Sequence, residues 1–350
     1  MIGEHSVLIV DDSKENISAL RGMLEDSYTV YVASNGERAL KVMDKNLPDI
    51  VLLDVMMPGI DGFEVLRQIK KDSRFYHTPV IFITGSDDSF SESKGLLLGA
   101  TDYIVKPYNP DIVNIKVHNQ MDNKMHRDGL EILVEERTKE LRKTQEGIIF
   151  GMSLMAERRD LSTGEHLKRM KKITGILAES LHKKYPDILP SHKEVNNITA
   201  YSPLHDVGKV AISDAILLKP GRLTDEEYAI MKTHSTQGAD ILIDTRELLE
   251  SETDDLTVAV NIAAGHHERY DGTGYPNGVK GDEIPLSARI VALADVYDAL
   301  TSKRHYKEAF THEKAMDIIL NGDGRTMPEH FDPIILDVFK QCSDTIKESS

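Results

Sequence analysis

The stretch Ser6-Val-Leu-Ile-Val-Asp-Asp12 decides the fold of the first third of the chain. A short uncharged apolar run that closes on two carboxylates reads as a strand buried on both faces, with acidic groups at its C-terminal end. Downstream, Glu15 to Glu25 places Ile17, Leu20 and Leu24 on one helical face. Thr29 to Ala33 reads as a second strand, and Gly36 to Lys45 as a second helix. Asp49 to Asp54 is a third strand, followed by the turn Pro58-Gly59 and a helix around Phe63 to Ile69. Pro79 to Thr84 and Asp102 to Val105 complete the series as strands four and five. Strands alternating with helices predict βαβ units and a doubly wound, five-stranded parallel sheet, whose chemistry collects at the strands' C-terminal ends.

The chain has 350 residues, a length that suggests two domains. With 58 acidic and 42 basic side chains its formal charge is -16, which argues against a polymeric nucleic acid as partner. It argues equally against docking on an anionic membrane. No apolar run is long enough for membrane insertion, and residues 1 to 6 lack a signal-peptide pattern. The lone cysteine, Cys342, excludes an internal disulfide framework and a cysteine metal knuckle. These features predict a cytoplasmic protein. Fourteen histidines in an acidic chain are what a nitrogen- and oxygen-ligand metal site requires, and ten of them follow residue 150.

Domains are expected at 1–122, a doubly wound α/β unit, and at 151–350, an all-α unit. A long charged helix over 123–150 joins them. Val134, Leu141, Ile148 and Met155 recur at sevens on that helix, while the companion seam carries Arg137 and Thr144. This half-seam suits a solvated connector or a homodimer contact about equally. Beyond residue 150 helical periodicity is broken by one glycine-rich stretch, Asp271 to Gly281.

Asp11, Asp12, Asp54, Thr84 and Lys106 all fall at strand ends on one edge of the predicted sheet. Three carboxylates there repel one another unless a hard cation such as Mg²⁺ sits between them. One carboxylate beside that ion, with a lysine and a hydroxyl nearby, is suited to accept a phosphoryl group. Residues 5 to 122 resemble the receiver domain of two-component response regulators. The resemblance implies Asp54 as phosphoacceptor, Asp11 and Asp12 with Asp54 around Mg²⁺, and Thr84, Tyr103 and Lys106 as switch residues. Lys106-Pro107 matches the family's lysine followed by a cis-prone proline, and a cognate histidine kinase is the implied partner.

In the second half the candidate ligands are His166, His205-Asp206, His234, His266-His267 and Asp295. A lone helical histidine is more often packing than ligand; two tandem pairs are a different matter. His205-Asp206-Val207-Gly208-Lys209 and, some sixty residues on, His266-His267-Glu268-Arg269-Tyr270-Asp271-Gly272-Thr273-Gly274-Tyr275-Pro276 resemble the HD-GYP subfamily of HD-domain metal phosphohydrolases. The resemblance implies an all-helical domain that hydrolyses cyclic di-GMP, with pGpG or GMP as the final product and with iron or manganese as the metal. By position, His166, His205, Asp206 and Asp295 would hold one ion, and His234, His266 and His267 a second, with Asp206 bridging. Some members hold a third ion through a glutamate four residues before the first histidine. Ser162 stands at that position, so the expected site is binuclear. The expected nucleophile is a hydroxide bridging two cations about 3.5–4 Å apart. Lys209 would hold the scissile phosphate as a point charge, while Arg304, Lys307 and Asp160 match the family's substrate contacts. Gly274, Tyr275 and Pro276 sit in a loop that is either beside the site or a plain connector. His182, His192, His305, His312 and His330 read as structural or surface groups.

Taken together, the two motif sets predict a response regulator whose output is a phosphodiesterase controlled by phosphorylation of Asp54. The alternatives are a non-catalytic module that binds dinucleotide or partner proteins, and the same hydrolase acting on another cyclic dinucleotide. Further expected partners are diguanylate cyclase-type or other signalling proteins.

Overall fold

A computed structural model of the chain describes residues 5–85, 94–159, 164–249, 255–302 and 309–349. The backbone divides into two units, Met1–Lys139 and Glu140–Ser350. Strands β1 (Ser6–Val10), β2 (Thr29–Ala33), β3 (Ile50–Asp54), β4 (Val80–Gly85) and β5 (Asp102–Lys106) lie within a residue or two of their expected positions. They form one sheet in the order β2-β1-β3-β4-β5, and every pairing is parallel.

The apolar runs are continuous because both faces of the sheet are covered. Leu8, Val10, Val51 and Leu53 enter one core with Ala39, Met43, Phe63 and Leu66. Their neighbours Val7, Ile9, Ile50 and Leu52 enter the other with Leu20, Leu24, Val113 and Val117. Helices α1 (Lys14–Leu24), α2 (Gly36–Asn46) and α3 (Gly62–Lys71) each begin on a side-chain cap, from Ser13, Asn35 and Asp61 respectively. Such caps satisfy the amide hydrogens left free in a helix's first turn.

The segment expected as a separate linker over 123–150 is the middle of one uninterrupted helix, Pro110–Arg159. Its first turns serve the core of the first unit through Val113, Val117 and Met121. Its last turns bury Ile149, Ser153, Ala156 and Glu157 in the second unit. Those four positions follow the spacing of a single helical face. Elsewhere around the same helix Val134, Leu141, Ile148 and Met155 are all exposed.

The second unit is helical. Gly164–Lys184, His192–Tyr201, His234–Leu248, Asp255–Gly265 and Leu286–Thr301 surround a core that includes Ile173, Leu177, Leu204, Ile262, Leu293 and Tyr297. No helix among the described residues is long and apolar enough to cross a membrane.

Candidate functional site

In the first unit, the parallel register brings the strand ends to one edge: Asp54 pairs with Ile83, Thr84 with Val105, and Gly85 with Lys106. Donor oxygens of Asp11, Asp12 and Asp54 come within 4.8 Å of one another. Lys106 Nζ donates to Asp11 Oδ2 at 3.0 Å and to Asp54 Oδ2 at 2.9 Å. Burial and the neighbouring Asp11 carboxylate raise the pKa of Asp54, and the Lys106 ammonium opposes them. Asp11 is fixed by Asn16 Nδ2 and the Ser13 amide. Thr84 is buried, and Lys116 lies over the Tyr103 ring. The Lys106–Pro107 peptide is cis. Gly62 is required here by space, since a Cβ would stand 2.3 Å from the Asp54 carbonyl oxygen. Sequence reasoning passed over Tyr108, whose hydroxyl is buried without a partner and whose pKa is raised by burial and by Asp11 and Asp54.

The second unit gathers its donors from five elements. His205 and Asp206 sit on a 3-10 turn, Ser202–Ala211, not on the α-helix assumed from sequence. With about three residues per turn, the two side chains are carried further apart around the axis than in an α-helix. Gly208 permits this turn to lie against the start of the His234–Leu248 helix, for a Cβ there would meet the His234 carbonyl oxygen at 1.9 Å. The Asp255–Gly265 helix stops just before His266 and His267, which frees both rings to point to one place.

Two donor groups result. Asp206, His234, His266 and His267 form one, with donor atoms within 4.8 Å of one another. Glu157, His166 and His205 form the other. The join is His205 Nε2 to Asp206 Oδ2, 3.2 Å. Asp206 Oδ1 also lies 3.2 Å from His234 Nε2 and 3.7 Å from His266 Nε2. Asp295 belongs to neither group. It lines the adjoining cleft of about 440 Å³ with His266, His267 and Tyr275, and its charge raises the pKa of His205.

The rings are held from behind. His205 Nδ1 faces Ser202 O, His234 Nδ1 faces Met231 O, and His266 Nδ1 faces the carbonyls of Ile262 and Ala263. His166 Nδ1 lies 2.6 Å from Asp298 Oδ2. Carbonyls and carboxylates only accept, so each Nδ1 carries a hydrogen and each Nε2 is the ring atom left to face the cluster. Burial, then the positive charge of nearby histidines, holds the pKa of His267 well below its usual value. His266 is lowered too, chiefly by burial. Burial would lower His205 as well, but Asp206, Asp295 and Glu157 raise it to about 9. Burial works to raise Asp206, yet Lys209 and His205 hold it well below the carboxylate range.

Five buried atoms at the two groups have no hydrogen-bond partner: Glu157 Oε2, His205 Nε2, Asp206 Oδ1, His234 Nε2 and His266 Nε2. Each such atom costs about 1–3 kcal/mol. Imidazole nitrogens and carboxylate oxygens, desolvated and aimed at common points, fit divalent ions.

Over the histidines lies the Gly272–Gly281 loop, in which Gly272, Gly278 and Gly281 have positive φ. Tyr275 stacks on His267 at 4.6 Å between ring centroids, and the Tyr275–Pro276 peptide is cis. A Cβ on Gly274 would meet Arg269 N at 2.3 Å. The loop therefore lies beside the histidines, the first of the two readings that the sequence left open. Lys209 Nζ lies 2.8 Å from Asp206 Oδ2. Asp160, Ser162, Arg304, His305 and Lys307 lie outside the described residues.

Sequence reasoning missed Glu157 and Asp298. The available signals were a carboxylate on the buried face of the Pro110–Arg159 helix, and one three residues beyond Asp295 on the largely apolar Leu286–Thr301 helix.

Comparison with known proteins accounts for both units. Residues 7–118 match the response regulator receiver domain family, and residues 160–334 the HD domain family. A Vibrio cholerae protein named "Probable cyclic di-GMP phosphodiesterase" is 42% identical over 347 residues, covering 97% of this chain and 78% of that one. The cyclic di-GMP phosphodiesterase response regulator RpfG of Xanthomonas campestris is 35% identical over 342 residues, 95% of this chain and 86% of its own. A 3′3′-cGAMP-specific phosphodiesterase 2 of Vibrio cholerae is 40% identical over 205 residues, 59% of this chain and 36% of that one.

Proposed function

The chain belongs to the response regulators that join a receiver domain to an HD domain, and on that premise we propose that it hydrolyses cyclic di-GMP under control of Asp54 phosphorylation, with pGpG or GMP as the final product. The observation that carries this reading is the pair of donor groups meeting at His205 and Asp206, beside a cleft large enough for a nucleotide's phosphate and sugar.

In this reading His166, His205, Asp206 and Asp295 serve one ion and His234, His266 and His267 a second, with Asp206 between them. Iron or manganese suits the imidazole and carboxylate donors. Such ions supply an activated water at neutral pH and neutralise the phosphoryl oxygens of a phosphodiester. The chain's residues do the rest. Lys209 places a cation beside Asp206 and takes the scissile phosphate as a point charge. Lys232 and Arg269 line the same cleft and add positive charge where the anionic substrate enters. Tyr275, laid on His267, excludes bulk water from that side of the histidines. Asp160, Arg304 and Lys307 are assigned to guanine and phosphate contacts by motif position alone.

At the first unit, Asp11, Asp12 and Asp54 are assigned to Mg²⁺, with a histidine kinase as the phosphoryl donor. Phosphorylation of Asp54 draws on Thr84, Tyr103 and Lys106 and changes how the Pro110–Arg159 helix packs. The exposed Val134, Leu141, Ile148 and Met155 are the candidate homodimer contact, to be checked by sedimentation of Leu141→Glu.

The test is turnover of cyclic di-GMP by anaerobically purified protein loaded with Fe²⁺ or Mn²⁺, with products identified. Asp206→Ala should be inactive. Absence of turnover with any common divalent metal would defeat the catalytic reading and favour a binding module. The similarity to a 3′3′-cGAMP-specific relative supports a second reading, in which cyclic GMP–AMP is the preferred substrate. Competition between the two dinucleotides decides it.

A further inference from the structure

We propose that Glu157 is a metal ligand, giving the ion on the His166–His205 side a carboxylate that motif resemblance does not assign. The inference rests on the reading of the second unit as a metal-dependent hydrolase.

Four observations carry it. First, Glu157 is 1% exposed, on the buried face of its helix with Ile149, Ser153 and Ala156. A carboxylate at such a position is rarely kept without a partner. Second, its Oε2 atom is buried and has no hydrogen-bond partner. Third, one Glu157 oxygen and one nitrogen from each of His166 and His205 lie within 4.8 Å of one another. Since Asp298 and the Ser202 carbonyl occupy the two Nδ1 atoms, the Nε2 atoms are the ones left to share an ion with this oxygen. Fourth, a cation already stands between the carboxylates: Lys209 Nζ is 3.5 Å from Glu157 Oε1 and 2.8 Å from Asp206 Oδ2. The ammonium marks a place where positive charge joins Glu157 to Asp206, as a divalent ion would.

The end of the helix is pinned so that Glu157 keeps this position. Arg159, two residues on, donates to the carbonyls of Lys209 and Ile212 at 3.1 and 2.9 Å, and to Asp214 Oδ1 at 2.7 Å. The helix that begins in the receiver unit thus ends by delivering a donor group to the second unit's metal site.

The experiment is a titration of metal-free full-length protein with Mn²⁺ alone, read by calorimetry and by metal retained after dialysis. With the acidic pocket of the first unit disabled by Asp12→Ala in every protein titrated, the parent should hold two ions. Glu157→Gln keeps the shape and an acceptor for Lys209 but weakens the ligand. It should bind one ion normally and the other about tenfold or more weakly, and His166→Ala should do the same. His234→Ala should weaken the opposite ion. Unchanged stoichiometry and affinity in Glu157→Gln would overturn the proposal and reduce Glu157 to an anchor for Lys209. Should the variant fail to fold, anomalous scattering from a Mn²⁺-soaked wild-type crystal decides, by placing or not placing Glu157 at bonding distance from an ion. Metal binding is read without substrate, so failure to hydrolyse any dinucleotide would leave this result standing on its own.

Discussion

His166 Nδ1 lies 2.6 Å from Oδ2 of Asp298, and the same carboxylate receives Arg169 Nε at 2.5 Å. Asp298 is 1% exposed. Burial raises its pKa, but His166 and Arg169 outweigh burial and hold it below the usual value. A charged acceptor of this kind fixes the ring's tautomer and strengthens its other nitrogen as a ligand.

Asp298→Asn should therefore weaken metal binding or activity about 10- to 100-fold while leaving the fold intact. The check is a Mn²⁺ activation curve beside a thermal melt. A variant with the wild-type curve would show that Asp298 only holds Arg169.

Lys106 is the counter-charge of the receiver pocket, bonded to both Asp11 and Asp54. Lys106→Met leaves three carboxylates facing one another. The loss should be about 1–3 kcal/mol in EDTA, discounted because Lys106 keeps some solvent contact. Mg²⁺ should restore most of it. Melting with and without Mg²⁺ measures both effects, and a melt indifferent to Mg²⁺ would contradict the assigned ion site.

Two glycines should respond in opposite directions. Gly208→Ala forces a Cβ against the His234 carbonyl and should cost several kcal/mol together with the metal site. Gly22, exposed within α1, has open space around it, with nothing within 4 Å of where a Cβ would stand. Gly22→Ala should stabilise the receiver by up to about 1 kcal/mol. Chemical denaturation of both variants is the measurement.

Chelation should destabilise the second unit selectively, because buried donors then lose their partner. At a hundredfold excess of metal over its dissociation constant, binding stabilises by about 2.7 kcal/mol. Calorimetric scans with and without EDTA should shift the transition of residues 140–350, and leave the receiver transition unchanged when Mg²⁺ is absent from both.

Much of this is legible in the sequence. The strand runs around Val7–Val10 and Ile50–Leu53 announce burial on both faces, and the alternation with helices points to a parallel sheet. The tandem pairs His205-Asp206 and His266-His267 name the donors of the second unit. Other features are not legible. That His205 and Asp206 ride a 3-10 turn depends on how closely the His234 helix approaches Gly208. That Tyr275 covers His267 depends on a loop returning to its own starting point.

The sequence by itself determined the two units, the order of their elements and the chemical types of most donors, because periodicity and motif spacing are short-range properties. Only the tertiary structure decided which donors share a site. Glu157 meets His166 and His205, Asp298 stands behind His166, and Asp295 lines the cleft beside His266 and His267. Such distances are set by packing between elements far apart in the chain, and no local pattern encodes them.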